Sequence, residues 1–327
     1  MIHYFCPNVS FASSGVRLLY RHVEILNRHG YSAAILVDED GERPAGMPFV
    51  PVRYMYSPDT FTENDYVVIP EGLPNFMQLF KGHPLNLIAI ALNWQYIYMS
   101  LDRLFPGFPD WRSFGIQQAM VNCSFIGDMI DWAMKIPCHV IVMGIDPRLY
   151  TYEPERKVPQ ISYILRKANR CDELKRLLHS RNPAFTENIA WRGMEGLPEE
   201  DYAREVRQSR VFLNLSVAEG FPFSLAEAMR AGTVVAGYNS VGGQRELIGQ
   251  GEKQNCILAE NLDYVTLAQR LEPLLLDVLR DDMSRWGRVI ENGIELSNHY
   301  TREEEERTTL LAWKNILAKP PAVIPSG

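Results

Sequence analysis

Two carboxylates eight positions apart, Glu219 and Glu227, are the residues of this chain best placed to do chemistry. Glu219 follows an apolar run at residues 211–215, short enough to be a buried strand. Glu227 lies one turn into a helix that Ser224 can start. A carboxylate and a row of free backbone N–H groups would then share a crevice at the carboxyl end of a strand. Open α/β sheets take phosphorylated ligands in such crevices, because a helix N-terminus offers donors and a positive dipole end to an anion. Ser224-x-x-Glu227 is also the pattern of a capping box, in which each side chain satisfies an orphan N–H. Taken alone, that pattern says where a helix begins and nothing more. A basic pair, Arg166-Lys167, ends another apolar run at 161–165, with Arg170 close behind. Two cations there are by default a solvated strand end.

These side chains need a scaffold of alternating strands and helices, and the sequence pattern supplies one. Residues 2–6 are apolar, 7–14 form a small-residue loop, and Val16, Leu19, Val23 and Leu26 recur at helical spacing before His29-Gly30. A strand at 31–37 completes a βαβ start. Ser13-Ser14-Gly15 at the head of that helix reads as a cap and a turn glycine. Further short apolar runs at 66–69, 87–92, 120–123 and 139–143 have the length and composition of buried parallel strands. Gly144-Ile145-Asp146-Pro147 and Tyr152-Glu153-Pro154 break the alternation and mark a domain boundary. Beyond it, strands are expected at 161–165, 189–191, 211–215 and 233–238. Helices are expected at 172–178, 199–207, 225–231, 264–278, 282–292 and 302–317. Gly193-Met194 follows the second of these strands as a glycine turn. Glu303–Glu306 at the start of the last helix suit its positive end, and the tail 320–327 is expected to fray.

The bulk numbers exclude several classes. A chain of 327 residues can form two domains with full cores. Net charge is −7; residues 1–157 carry 12 basic against 16 acidic side chains, and the remainder 21 against 24. Neither half has the basic surplus of a nucleic-acid binder or of a polybasic membrane anchor, which leaves room for weak peripheral membrane contact at most. The five cysteines, Cys6, Cys123, Cys138, Cys171 and Cys256, have no metal-ligand or redox spacing, as expected of free thiols in a reducing cytoplasm. The first residues enter a strand pattern at once, without the n-region and h-region of a signal peptide, and no apolar run approaches a bilayer's thickness. A cytoplasmic location is the expectation.

The order Glu219-Gly220-Phe221, four residues, Glu227-Ala228-Met229, then Gly232 and the strand Thr233-Val234-Val235, resembles the Glu-x7-Glu signature of retaining glycosyltransferase family 4. The resemblance is specific over residues 160–250 and diffuse over 1–155. It implies an α/β chain of GT-B architecture: two facing Rossmann-like domains with parallel sheets, and a C-terminal helix crossing back to the N-terminal domain. The implied divisions are an acceptor-side domain at 1–155, a nucleotide-sugar domain at 156–300, and a crossover helix and tail at 301–327. By the same resemblance Glu227 accepts hydrogen bonds from the ribose hydroxyls, and Glu219, with Gly220 and Phe221, meets the donor sugar near its anomeric carbon. The N–H groups of Phe223, Ser224 and Leu225 would cap the β-phosphate. Arg166 and Lys167 would neutralise the departing diphosphate, stabilisation that grows as the bond breaks and so lowers the barrier. Glu219, Arg166 and Lys167 are thus the catalytic candidates. Gly193 and Met194 would meet the nucleobase through the backbone, and Ser14 and Gly15 would lie against the donor phosphates. Gly242-Gly243 resembles a loop that lets the backbone approach the sugar, with Glu246 beyond it either part of that wall or an acid at a helix start.

The chain departs from the family pattern in places. Pro222 stands where glycine is frequent and has no N–H to donate. Ser14 replaces the first glycine of a pair. Relatives often carry a histidine after the fourth strand; here the segment is Asn93-Trp94-Gln95-Tyr96, so Asn93 or Gln95 would bond the donor sugar. Trp94, Tyr96 and Tyr98 suit either a sugar face or the core, and the apolar loop at 104–112 either the acceptor site or a packed surface. Asp38-Glu39-Asp40 looks like the Asp-x-Asp metal motif of GT-A transferases but reads better as a polar turn before Gly41; no metal and no other cofactor is expected. The implied activity is transfer of a hexose from a nucleotide sugar, UDP-glucose or another UDP-hexose first, to a glycan, lipid-linked or small-molecule acceptor in polysaccharide biosynthesis. Its rivals are a non-catalytic nucleotide-sugar-binding protein, an NAD-dependent oxidoreductase, against which the absence of a Gly-x-Gly-x-x-Gly fingerprint speaks, and a sugar phosphorylase.

Overall fold

The computed structural model describes residues 1–6, 13–38, 43–57 and 60–318. Most of the expected loop at 7–14, the Glu39-Asp40 part of the acidic turn and the tail 320–327 lie outside the described residues. The chain divides into two compact units, Met1–Met143 with the segment from Glu303 onward, and Gly144–Arg302.

The first unit contains β1 (Ile2–Phe5), α1 (Ser14–Arg28), β2 (Ala33–Val37), β3 (Val52–Tyr54), β4 (Tyr66–Pro70), α2 (Pro74–Phe80), β5 (Asn86–Ala91), α3 (Trp94–Leu104), β6 (Ile116–Val121), α4 (Ser124–Met134) and β7 (Cys138–Val140). Its sheet has the order β3-β2-β1-β4-β5-β6-β7 and is parallel throughout. Tyr4, Phe5, Ile35, Leu36, Val67, Val68, Ala89 and Ile90 are sealed from solvent, which is why these strands read as continuous apolar runs rather than alternating ones. The chain builds outward from β1 to β3, then returns to the other side of β1 with β4. That reversal makes a topological switch point between β1 and β4, where such sheets leave a crevice at their carboxyl edge. Helix α1 buries Val16, Leu19, Val23 and Leu26, the stripe its spacing predicts.

The second unit contains β8 (Val158–Ile164), α5 (Cys171–Arg181), α6 (Ala184–Glu187), β9 (Ala190–Met194), α7 (Glu199–Gln208), β10 (Ser209–Asn214), β11 (Ala218–Glu219), α8 (Phe223–Arg230), β12 (Val234–Tyr238), β13 (Val241–Gly242), β14 (Cys256–Ala259), α9 (Tyr264–Leu279) and α10 (Gly287–Ser297). Five strands form a parallel sheet of order β14-β12-β10-β8-β9, and β11 and β13 pair separately. From β8 the chain goes to β9 on one side, then returns to β10 on the other. The switch point of this unit therefore lies between β8 and β10.

A last helix, α11 (Arg302–Ala318), packs within the first unit. Buried Glu305 accepts from Arg21 Nε at 2.7 Å, and Trp313 Nε1 donates to Tyr4 Oη at 2.8 Å, with both rings fully buried. The parallel α/β architecture and the return of the last helix are as the sequence leads one to expect. Some elements differ. The strand expected at 139–143 is Cys138–Val140. The helix expected at 282–292 starts at Gly287, after a 3-10 turn at Ser284–Trp286 held by the Asp282 carboxylate, which accepts from the Ser284 N–H at 3.0 Å.

Candidate functional site

The second unit gathers its candidate residues at the β8/β10 switch. After β8 the chain tightens into a 3-10 turn, Leu165–Lys167. Arg166 is exposed there, while Lys167 is partly covered and forms an ion pair with Glu219. Glu219 is 6% exposed. It is held by main-chain pairing rather than by side-chain packing alone: Ala218 and Glu219 lie opposite Val241 and Gly242, and the Gly243 N–H donates to the Gly220 carbonyl at 2.7 Å. Behind this small pair of strands, buried Gln244 accepts from Asn214 Nδ2 at 2.7 Å and donates to the Tyr238 carbonyl at 2.8 Å. Asn214 and Gln244 were not legible as site residues, because neither belongs to a local pattern.

The start of α8 corrects the capping-box reading. The helix begins at Phe223, with Pro222 at the cap position and no side-chain cap, so Ser224 is already helical. Proline fixes φ at the entry to the helix but offers no side-chain acceptor to the orphan N–H groups. The three N–H groups expected to meet a phosphate are not equivalent. Phe223 donates to the Phe221 carbonyl and Leu225 to the Pro222 carbonyl, each at 2.9 Å. The Ser224 N–H takes no backbone acceptor among the described residues, which leaves it best placed for an anion. Phe221 is buried, its ring 4.9 Å from that of Tyr300.

Glu227 is 8% exposed on α8. Two tyrosines that the sequence reading did not include, Tyr150 and Tyr202, have their phenols near it. Burial first, and the Glu227 charge second, hold both phenols well above their ordinary pKa. Phenols kept protonated beside a carboxylate are suitable donors to it. Gly193 and Met194 are strand residues of β9, not a turn after it. A Cβ at Gly193 would stand 3.0 Å from Leu165 Cδ1 and 3.2 Å from the Tyr163 ring, so the glycine serves close packing. Met194 is buried. Glu246 lies in a 3-10 turn, Gly243–Leu247.

In the first unit, Ser13 is the N-cap of α1, accepting from the Val16 N–H at 3.2 Å. Ser14 and Gly15 belong to the helix's first turn rather than to the loop before it. A Cβ on Gly15 would come within 3.3 Å of Leu92 Cδ1, so the helix end approaches the β5 terminus closely. Asn93 caps α3, accepting from the Gln95 N–H at 3.1 Å; Gln95, Tyr96 and Tyr98 are exposed, and Trp94 packs edge-on to Phe125. The loop at 104–112 is mixed: Phe108 is exposed, Trp111 fully buried, and Asp110 holds the Arg112 N–H at 2.9 Å. The residue missed here is Glu71, directly after β4 and 6% exposed. Its Oε1 accepts from the N–H groups of Leu92 at 3.1 Å and Asn93 at 2.8 Å. Burial pushes its carboxyl up to about 7 despite those donors. An acid immediately after an apolar strand was the available signal.

Among the described residues no group of three His, Cys, Asp or Glu side chains is arranged to hold a metal ion, and no helix is long and apolar enough to cross a membrane. None of the five cysteines is joined in a disulfide.

Residues 187–290 match the family model described as Glycosyl transferases group 1. No curated protein matches the sequence. Solved structures share its fold along nearly the whole chain. Sucrose-phosphate synthase from Thermosynechococcus elongatus superposes with a TM-score of 0.70 at 13% identity, over 97% of this chain and 99% of that one. The Anabaena protein HepE in complex with UDP-glucose gives 0.63 at 13% identity, over 97% and 99%. The catalytic domain of starch synthase IV from Arabidopsis thaliana, bound to ADP and acarbose, gives 0.59 at 12% identity, over 94% and 99%. The chain has the GT-B fold, its second unit carries a group 1 glycosyltransferase region, and it is a glycosyltransferase.

Proposed function

We propose that this protein is a retaining, metal-independent family 4 type glycosyltransferase that moves a hexose from a UDP-sugar, UDP-glucose first, to a hydroxyl acceptor of glycan, lipid-linked or small-molecule type in polysaccharide assembly. The observation that carries the reading is the convergence of Lys167, Glu219 and the start of α8 at the β8/β10 switch. A cation, a carboxylate and a helix N-terminus at one crevice suit a nucleoside diphosphate joined to a sugar. Glu227, buried between two phenols, suits a vicinal diol, which donates two hydrogen bonds to a carboxylate. Structural neighbours solved with UDP-glucose and with ADP agree in ligand class.

In this reading the bond between the anomeric carbon and the leaving phosphate oxygen breaks as the acceptor oxygen bonds to the same face of that carbon. The acceptor's proton passes to the leaving phosphate oxygen. Lys167 and the Ser224 N–H stabilise the charge that gathers on the diphosphate, and Glu219 positions and stabilises the sugar without bonding to it. A glycosylated Glu219 trapped in mass spectrometry would contradict this. The rival of a donor-binding protein without turnover draws on Asn93, which stands at the histidine position and is engaged as a helix cap.

Calorimetry with UDP, GDP, ADP and NAD, with UDP-glucose hydrolysis followed in the same samples, tests the proposal. Micromolar binding of UDP with slow glucose release is expected. Glu227→Ala should weaken UDP binding by about tenfold or more, the loss of a charge-assisted contact, while Glu219→Ala chiefly lowers turnover. Binding without release in the presence of varied acceptors favours the rival, and no nucleotide binding removes the reading.

A further inference from the structure

We propose that Glu71 is a positioning residue of the reaction, a clamp that fixes the Leu92–Asn93 turn at the ligand edge of the first unit. The proposal rests on the glycosyl-transfer reading above and adds a residue to it. Glu71 directly follows β4, one of the two strands that flank the β1/β4 switch. The turn it holds follows β5, the next strand of the sheet. Both N–H groups of the turn point to one Glu71 oxygen, at 3.1 and 2.8 Å. From the other flank, Asn122 at the end of β6 donates through Nδ2 to the Leu92 carbonyl at 3.0 Å. Side chains from the strand ends on either side of β5 therefore hold three main-chain groups of a two-residue turn. The first turn of α1 packs on the same place, with Gly15 against Leu92. Asn93, the turn's second residue, is with Gln95 one of the two side chains that the family resemblance offers to the donor sugar, and its Oδ1 already accepts from the Gln95 N–H while its Nδ2 can still donate.

The choice of a carboxyl is what points beyond packing. Two N–H groups could be satisfied by an amide or a water at little cost, whereas an ionised carboxylate at 6% exposure is penalised by burial. No charged side chain among the described residues offsets that penalty; the partners of its carboxyl are uncharged main-chain N–H groups. The carboxylate form binds N–H donors more strongly than a neutral acceptor does. Glu71 thus supplies a tighter hold on the turn than the fold itself requires, and tight placement of a substrate-facing group is worth more to a rate than to stability.

The test uses the whole chain as wild type, Glu71→Ala and Glu71→Gln. Hydrogen exchange at the Leu92 and Asn93 amides is read alongside UDP affinity and UDP-glucose hydrolysis. Glu71→Ala should speed exchange at both amides by about tenfold or more, the scale of one lost net hydrogen bond. It should also lower turnover by about tenfold and leave UDP affinity within about twofold, because the nucleotide is assigned to the other unit. Glu71→Gln keeps an acceptor oxygen and should restore most of the protection and part of the turnover. Unchanged exchange in Glu71→Ala, or loosened amides with unchanged turnover, overturns the proposal. If Glu71→Ala does not fold, Glu71→Gln decides through its pH profile: wild-type hydrolysis should change through pH 7 and the variant should not, and identical profiles overturn the clamp. A wild type that binds no UDP removes the glycosyl-transfer reading, and exchange at the two amides still judges the clamp.

Discussion

Lys167 and Glu219, 52 positions apart in sequence, close an ion pair across the β8/β10 switch of the second unit. The cation assigned to the diphosphate is thereby held by the carboxylate assigned to the sugar. In the proposed function a donor diphosphate competes with Glu219 for that ammonium, so part of its interaction with Lys167 is offset by the pair it loosens. Glu219→Gln removes the competitor without changing shape. It should tighten UDP binding by several-fold while lowering UDP-glucose turnover, whereas Lys167→Met should weaken UDP and reduce turnover by about 10²-fold or more, the scale of losing a transition-state charge contact. Calorimetry on the two variants checks this. Opposite shifts in UDP affinity support the exchange, and weaker UDP binding in both excludes it.

Glu71 gives a pH dependence of stability with a definite sign. Its folded-state value of about 7 lies above the ordinary 4.5, so the native state holds the proton more tightly than the unfolded chain. The stability Glu71 contributes is present in full below pH 4.5 and is lost as pH rises to 7, by at most about 3 kcal/mol. Glu71→Gln has no proton to lose. In urea unfolding at pH 5 and pH 8, the difference in midpoint between variant and wild type should favour the variant more at pH 8. A constant difference would mean that Glu71 does not titrate in this range.

How much of this could be read from the chain depends on whether the signal is local. Buried strands such as β4, β5 and β10, and the amphipathic α1 and α9, announce themselves by continuous or periodic apolar residues, and the sequence reading places them within a few positions. Glu219 and Glu227 are legible because a short segment carries both. Tyr150 and Tyr202 are not, since nothing local ties them to Glu227; they meet it only once the unit has folded. The capping-box reading of Ser224 failed because the helix starts one residue earlier, at Phe223, with Pro222 at the cap position and Ser224 already inside. Gly193 was read as a turn because glycine suggests one, whereas it lies in β9, where Tyr163 and Leu165 pack tightly against the place a Cβ would take.

Gly237 shows the same packing logic at its strongest. It lies in β12 with φ at +156°, and a Cβ there would fall 1.9 Å from the Asn214 carbonyl oxygen of β10. That oxygen is backbone of the central strand and cannot rotate aside. Gly237→Ala must shift β10 or β12 and should rank among the costliest single methyl additions, about 3 kcal/mol or more. Because Asn214 also anchors Gln244 behind the Glu219 segment, UDP affinity should fall along with the thermal midpoint. A soluble variant with a wild-type midpoint would show that the two strands separate more easily than their register implies.

The link between α11 and the rest of the first unit can be tested at one bond. Trp313 Nε1 donates to Tyr4 Oη at 2.8 Å, and Tyr4 Oη lies 3.2 Å from His22 Nδ1. Burial drives the His22 pKa down to about 3, so the ring is neutral and its Nδ1 can accept the tyrosine proton. Trp313→Phe keeps an aromatic ring but leaves the buried Tyr4 oxygen short of a donor, which costs about 1–2 kcal/mol. Trp313→Ala adds a cavity and should cost about 3–5 kcal/mol. Both changes act on the first unit, so UDP affinity, assigned to the second, should hold in the Phe variant while urea unfolding shifts to lower concentration. Equal losses in the Phe and Ala variants would mean that the hydrogen bond, not the volume, carries the attachment of the helix. No loss in either would mean that α11 is held elsewhere, by the Arg21–Glu305 pair first.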